Sequence, residues 1–335
     1  MTKQKKIRKT SVEAFLKDLK GLDRKLLASF AFVLLILLFV SQTSAFDIEK
    51  GTVFGIQTTF LEKPTINSSP MEVPKPALYP KKDSDVPTPF ITAQSAIVID
   101  VASQVVLYTK SQDAQFPPAS TTKIMTALVA LEQFALDDVL TVPALSIEGA
   151  KMKLVPGEQI TFENLLYGLL LASGNDAAET IAYNFPGGKD ASILTMNKTA
   201  KELNLVNTHF QNTTGLESEN HYTTALDLAR LASFALKNET FARIVSSRYK
   251  TVSDITGAHV HSLENLNKLL GSVEGVTGIK TGFTEEAGQV LVAAAARDGH
   301  TIVTVVLKSN DRFLDSKNLL EWAFANHVFI ADTAY

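Results

Sequence analysis

The stretch from residue 91 to residue 335 predicts an α+β domain: one antiparallel five-stranded sheet covered by helices. Three observations carry this. β-rich runs stand at both ends of the stretch, helical runs fill its middle, and short polar turns join neighbouring β runs. The first pair of strands is Ser95 to Asp100 and Gln104 to Thr109, around a short polar turn. Ser120 to Phe134 reads as a helix, apolar nearly all round through Ile124, Met125, Ala127, Leu128, Val129 and Leu131, which marks a buried helix. Phe162 to Leu171 and Asp176 to Tyr183 are two further helices, separated by Ser173-Gly174-Asn175, and Thr224 to Leu236 is another. Gly275 to Phe283, Gln289 to Ala296 and Thr301 to Leu307 return to β, the last two joined by the turn dipeptide Asp298-Gly299. A helix over Phe313 to Ala325 closes the pattern. At this length the stretch can bury a single large core.

The residues before it are of a different kind. Residues 1–25 carry nine Lys or Arg against Glu13, Asp18 and Asp23, hence +6; with the whole chain at −3, the remainder carries −9. An acidic body argues against a nucleic-acid partner. The basic end runs into Leu26 to Val40, fifteen residues interrupted only by Ser29. A span wants about 20 residues, and adding Ser41 to Ala45 brings the run to that length. The expectation is a single-pass transmembrane anchor over 26–45, with a cleaved signal peptide as the alternative, since Thr43-Ser44-Ala45 resembles a cleavage site. Val12, Phe15, Leu16, Leu19 and Leu22 recur at helical spacing between lysines, a pattern that suits an anionic inner leaflet. The positive-inside rule places 1–25 in the cytoplasm and the body outside. Residues 46–90 hold seven of the twelve prolines, all between Pro64 and Pro89, and read as an extended linker. The absence of cysteine excludes disulfides, thiol catalysis and cysteine metal sites.

Three short motifs carry the chemistry: Ser120-Thr121-Thr122-Lys123, Ser173-Gly174-Asn175 and Lys280-Thr281-Gly282. A hydroxyl is a poor nucleophile without a nearby base. Three residues apart on a helix, Ser120 and Lys123 share a face. Free lysine, with a pKa near 10.4, is protonated at neutral pH, but burial and a second cation such as Lys280 would lower that value. Ser173 and Asn175 project a hydroxyl and an amide from one turn. Lys280 and Thr281 place an ammonium and a hydroxyl on a strand, a pairing suited to a carboxylate, and Gly282 lets a ligand approach the strand. Each motif also has a plain structural reading. Ser120 and Asn175 would serve as helix caps, and Lys280 as an exposed lysine beside a turn. Ser247-Arg248-Tyr249-Lys250 repeats the first spacing, but precedes a polar β-like stretch. His259 and His261 alternate on that stretch without a third metal ligand, so neither a metal nor another cofactor is expected.

The order of the three motifs resembles the D-alanyl-D-alanine carboxypeptidases, the low-molecular-mass penicillin-binding proteins. Pro118-Ala119-Ser120, Leu171 to Ala178, Asn212-Thr213-Thr214-Gly215-Leu216 and Gly278 to Gly288 extend the resemblance over residues 93–325. It implies the fold of the penicillin-recognising serine enzymes and β-lactamases, with a helical subdomain. It implies catalytic roles for Ser120, Lys123, Ser173 and Asn175, and substrate binding by Lys280, Thr281, Gly282 and Phe283. The implied substrate is a bacterial peptidoglycan stem peptide ending in D-Ala-D-Ala, and β-lactams would be covalent inhibitors.

Three rival functions share parts of this pattern. A D,D-endopeptidase acting on cross-links has every motif. A class A β-lactamase would carry Asp where Gly174 stands, and an acid in the frame that here reads Ala200-Lys201-Glu202-Leu203-Asn204. A non-catalytic wall-binding domain would not need the full set of reactive side chains. Family members often continue into a small β-rich domain and a C-terminal membrane helix, whereas 13 residues follow Trp322 here, so the N-terminal segment is the expected anchor at the cytoplasmic membrane.

Overall fold

The structure is a computed structural model that describes residues 79–144 and 146–329, together with a two-residue pairing of Thr52–Val53 with Ile56–Gln57. The basic segment, the apolar run at 26–45 and most of the proline-rich segment lie outside the described residues. The chain divides into units of residues 1–73 and 74–335. The large sheet, its helices and all three motifs belong to the second unit.

This sheet contains the five strands expected: β1 (Ser95–Asp100), β2 (Val106–Lys110), β3 (Val276–Thr284), β4 (Gly288–Arg297) and β5 (His300–Ser309). Their spatial order is β3-β4-β5-β1-β2, antiparallel throughout. The N-terminal hairpin thus closes the sheet against the C-terminal strands. The alternation along each strand explains the layering. Ile97 and Ile99 of β1 join Val303 and Val305 of β5 on one face, against the helices. Ala96 and Val98 join Leu291, Ala293 and Ile302 on the other, beneath Leu319, Leu320 and Trp322 of the closing helix. Both faces are covered, so all six residues of β1 are buried.

The helices are α1 (Thr122–Leu131), α2 (Phe162–Leu170), α3 (Asn175–Asn184), α4 (Gly188–Glu202), α5 (Ala225–Ala235), α6 (Glu239–Val245) and α7 (Arg312–Asn326). Helix α1 is buried from Thr122 to Ala130, as its all-round apolar pattern requires. Side-chain caps start several of the others. Thr161 accepts from Asn164 N, Thr224 from Asp227 N, and Asp311 from Phe313 N and Leu314 N. Helices α4 and α6 had no apolar stripe strong enough to be read from the sequence, and packing supplies what periodicity lacked. Two hairpins flank the helical side: Val139–Thr141 with Gln159–Thr161, and Tyr249–Ser253 with Val260–Glu264.

The end of the expected linker is seated on this unit. Lys81–Lys82 pairs with His327–Val328, Ser84 Oγ donates to Asn326 Oδ1 (2.7 Å), and Trp322 Nε1 donates to Val86 O (3.2 Å). Among the described residues, no helix is long and apolar enough to cross a membrane.

Candidate active site

Ser120 lies in a single 3-10 turn, Ala119–Thr121, that leads into α1. Ala119 adopts φ +48°, a left-handed conformation that turns the chain into the helix. The expectation that Ser120 caps α1 is not met: Thr121 occupies the cap position and no side chain bonds there. Ser120 Oγ instead lies 3.0 Å from Lys123 Nζ.

Lys123 is fully buried. Its Nζ donates to Asn175 Oδ1 (2.7 Å) and to Thr214 O (2.5 Å). Burial first, then the nearby Lys280 cation, push its pKa well below the ordinary lysine value, against weaker opposition from Asp176 and Glu179. Both effects act towards the neutral amine. A neutral amine has two hydrogens and one lone pair. Two carbonyl oxygens take the hydrogens, and the third contact, to Ser120 Oγ, leaves the lone pair pointing at the hydroxyl.

Ser173 joins α2 to α3 with φ +59°, another left-handed residue at a sharp turn. It is 3% exposed. Asn175 is the first residue of α3 rather than its cap, which is Gly174. Its amide is occupied at both ends: Oδ1 on Lys123, and Nδ2 donating to Glu148 O (2.7 Å). The capping role expected of Asn175 is therefore replaced by a bridging one, between Lys123 and the 146–158 segment. Among the described residues, Ser173 Oγ is hydrogen-bonded to neither Ser120 nor Lys123.

The third motif lies on β3, an edge strand of the sheet. Lys280 is 1% exposed, not the surface lysine of the plain reading. Burial, and then Arg312, push its pKa down to about 7. Among the described residues its one hydrogen bond is to Thr281 O (3.1 Å). A methyl group on Gly282 would stand 3.0 Å from Ala119 Cβ and 3.2 Å from Ser120 N, so the strand passes directly beside the Ser120 turn. Thr281 is buried and Phe283 is 56% exposed.

The profile of the family described as D-alanyl-D-alanine carboxypeptidase matches residues 82–311. The chain belongs to that family. It is 36% identical over 245 residues to a D-alanyl-D-alanine carboxypeptidase of Bacillus subtilis, covering 70% of this chain and 63% of that relative. It is 33% identical over 247 residues to a D-alanyl-D-alanine endopeptidase of Pseudomonas aeruginosa, covering 71% and 79%. The crystal structure of the Streptomyces K15 DD-transpeptidase matches with a TM-score of 0.69 at 34% identity, covering 72% of this chain and 100% of that one. Among D-alanyl-D-alanine carboxypeptidases the fold is that of the penicillin-binding proteins, as the motif order implied.

Three residues of this family member's site escaped the motif reading. Thr214 supplies a main-chain carbonyl to Lys123, which no side-chain pattern announces. Gly215 adopts φ +86°, and a Cβ there would lie 1.9 Å from Ala119 O, so only glycine fits behind the Ser120 turn. Both belong to Asn212–Leu216, where Asn212 Oδ1 accepts from Thr214 N, Thr214 Oγ1 and Gly215 N and holds the loop in shape. Arg312 opens α7, far along the chain, yet donates from Nη1 to Gly282 O (2.7 Å) and depresses Lys280. Gly174 is closely enclosed: a Cβ would stand 2.8 Å from Asp176 Oδ1 and 3.2 Å from Met152 N. The aspartate of a class A β-lactamase has no room here. The second Ser-x-x-K frame is not a site, since Ser247 Oγ bonds back to Arg243 O. Among the described residues no cluster of three or more metal-ligand side chains occurs, and His261 is paired with Glu158 instead.

Proposed function

We propose that this protein is a serine-type D-Ala-D-Ala carboxypeptidase that removes the terminal D-alanine from peptidoglycan stem peptides and is acylated by penicillins at Ser120. The observation that carries this reading is the Lys123 amine, buried and depressed in pKa, with both hydrogens engaged and its lone pair turned to Ser120 Oγ 3.0 Å away. Ser120 attacks the carbonyl of the penultimate D-alanine while Lys123 takes the hydroxyl proton. The backbone N–H groups of Ser120 and Phe283 stabilise the oxyanion. Lys280 and Thr281 hold the terminal carboxylate, and Ser173 passes a proton to the departing amine. Asn175 keeps Lys123 oriented and contacts the substrate amide. Water then hydrolyses the acyl-enzyme.

The N-terminal 26–45 run serves as a single-pass anchor in the bacterial cytoplasmic membrane, with 1–25 inside. The segment after it lets the catalytic domain reach the wall outside. Cleavage of cross-links is the second reading, supported by similarity to the Pseudomonas endopeptidase.

Mass spectrometry of the protein with penicillin tests the first step: one adduct on the unaltered protein and none on Ser120→Ala. Incubation with pentapeptide and with cross-linked muropeptides, side by side, assigns the substrate. Release of D-alanine from pentapeptide alone supports the carboxypeptidase; preferential cleavage of the cross-link replaces it with the endopeptidase.

A further inference from the structure

A second buried acid–base pair lies outside the three motifs. His261, on the hairpin Val260–Glu264, is 7% exposed, and Glu158 is 4% exposed. His261 Nε2 lies 2.8 Å from Glu158 Oε1, and His261 Nδ1 lies 3.0 Å from Met152 O. Both ring nitrogens therefore face an acceptor. The ring bridges Glu158 and Met152 O. Glu158 Oε2 is also engaged, accepting from Val155 N (2.9 Å).

Met152 is where this pair meets the catalytic machinery. Its carbonyl is held by His261, while its N–H donates to Asp176 Oδ1 (2.9 Å). Two residues earlier, Ala150 O accepts from Asn175 N (2.7 Å), and Glu148 O accepts from Asn175 Nδ2 (2.7 Å). Asn175 in turn holds Lys123. We infer that the His261–Glu158 pair is a latch that positions Asn175, and through it the Lys123 amine, by fixing Met152 and the 146–158 segment against the hairpin. His261 and Glu158 touch neither Ser120 nor Lys123, so they are positioning residues. The inference rests on the reading of Ser120 and Lys123 as nucleophile and base.

Without an N–H from His261, Met152 O loses its side-chain donor, and the segment loses its hold on that side.

Glu158→Gln is the conservative variant. Its amide nitrogen donates to the His261 Nε2 lone pair, its oxygen still accepts from Val155 N, and His261 Nδ1–H still donates to Met152 O. The test is acylation of the full chain by a fluorescent penicillin, resolved into the affinity of the initial complex and the rate constant of the covalent step. His261→Phe is expected to lose about 10- to 100-fold in the covalent step with the initial affinity unchanged. Glu158→Gln is expected to keep both, and Glu158→Leu, which leaves His261 Nε2 without its partner, to lose at least about tenfold in the covalent step. A wild-type covalent step in His261→Phe or in Glu158→Leu overturns the latch. If His261→Phe does not fold, Glu158→Leu against Glu158→Gln decides alone. Failure of the unaltered protein to be acylated overturns the reading of Ser120 itself, an outcome distinct from a latch that does not matter.

Discussion

Lys123 and Lys280 are both buried and close enough to repel, yet they are held in opposite ways. Lys123 has three partners, two of which face its hydrogens, and burial and its neighbour both work against its charge. Lys280 has a single bond, to a main-chain oxygen, and a pKa near 7, so it remains available to a carboxylate. In the proposed reaction the difference lets one residue type serve as a base in one place and an anion clamp in another. Saturated hydrogen bonding fixes a lone pair. Unsaturated hydrogen bonding leaves a cation that gains by taking up a ligand, whose charge raises its pKa again. The second lysine stays uncomfortable until substrate arrives.

The comparison breaks hardest at Lys123. Lys123→Met removes the base and leaves two carbonyls unpaired, and acylation by penicillin is expected to fall by about 10²- to 10⁴-fold. Lys280→Met removes only the clamp. It is expected to reduce kcat/KM on a D-Ala-D-Ala peptide by about 10- to 100-fold, the loss of a charge-assisted hydrogen bond. It should also raise Tm by roughly 2–8 °C, because an apolar side chain replaces a desolvated amine. Lys123→Met is not expected to gain that stability, and equal Tm gains in both variants would erase the contrast.

Titration sharpens the same distinction. Lys280 must be charged to draw a carboxylate, so kcat/KM is expected to fall as pH rises through about 7. Lys123 must be neutral, which sets a rising limb on the acid side. The profile of kcat, read with the carboxylate already bound, should have its alkaline limb shifted upward. An alkaline limb at the same pH in both profiles would exclude Lys280 as the clamp.

Away from the two lysines, the effect is on stability at acid pH. His221 Nε2–H donates to Thr122 Oγ1 (2.9 Å), and its Nδ1 accepts from Gln211 N, so it is neutral. Burial, then His209, push its pKa from 6.5 to about 4. The unfolded chain binds the proton first. The stability tied to neutral His221 is therefore complete above pH 6.5 and is lost as pH falls towards 4, about 3 kcal/mol in all. Denaturant unfolding of His221→Gln against the unaltered protein at pH 7 and pH 4.5 checks this: the acid loss should shrink in the variant.

β-rich runs bounded by short polar turns, and an all-round apolar α1, made the sheet and its central helix legible from residue order. Helices α4 and α6 were not legible, because their burial is decided by neighbours far along the chain. The same divide runs through the site. Ser120, Lys123, Asn175 and Lys280 could be named from short spacings, since helix and strand geometry fixes which side chains project together.

What residue order alone determined was the inventory and its pairing: a hydroxyl with Lys123 one helical turn on, an amide, Lys280 on a strand, and the glycines that let strand β3 run beside the Ser120 turn. Tertiary structure decided how each lysine is held and which neighbours lower its pKa. That difference depends on Thr214 O, Arg312 and the 146–158 segment, which arrive from distant parts of the chain. A pKa is a property of surroundings, and surroundings exist only after the core has closed.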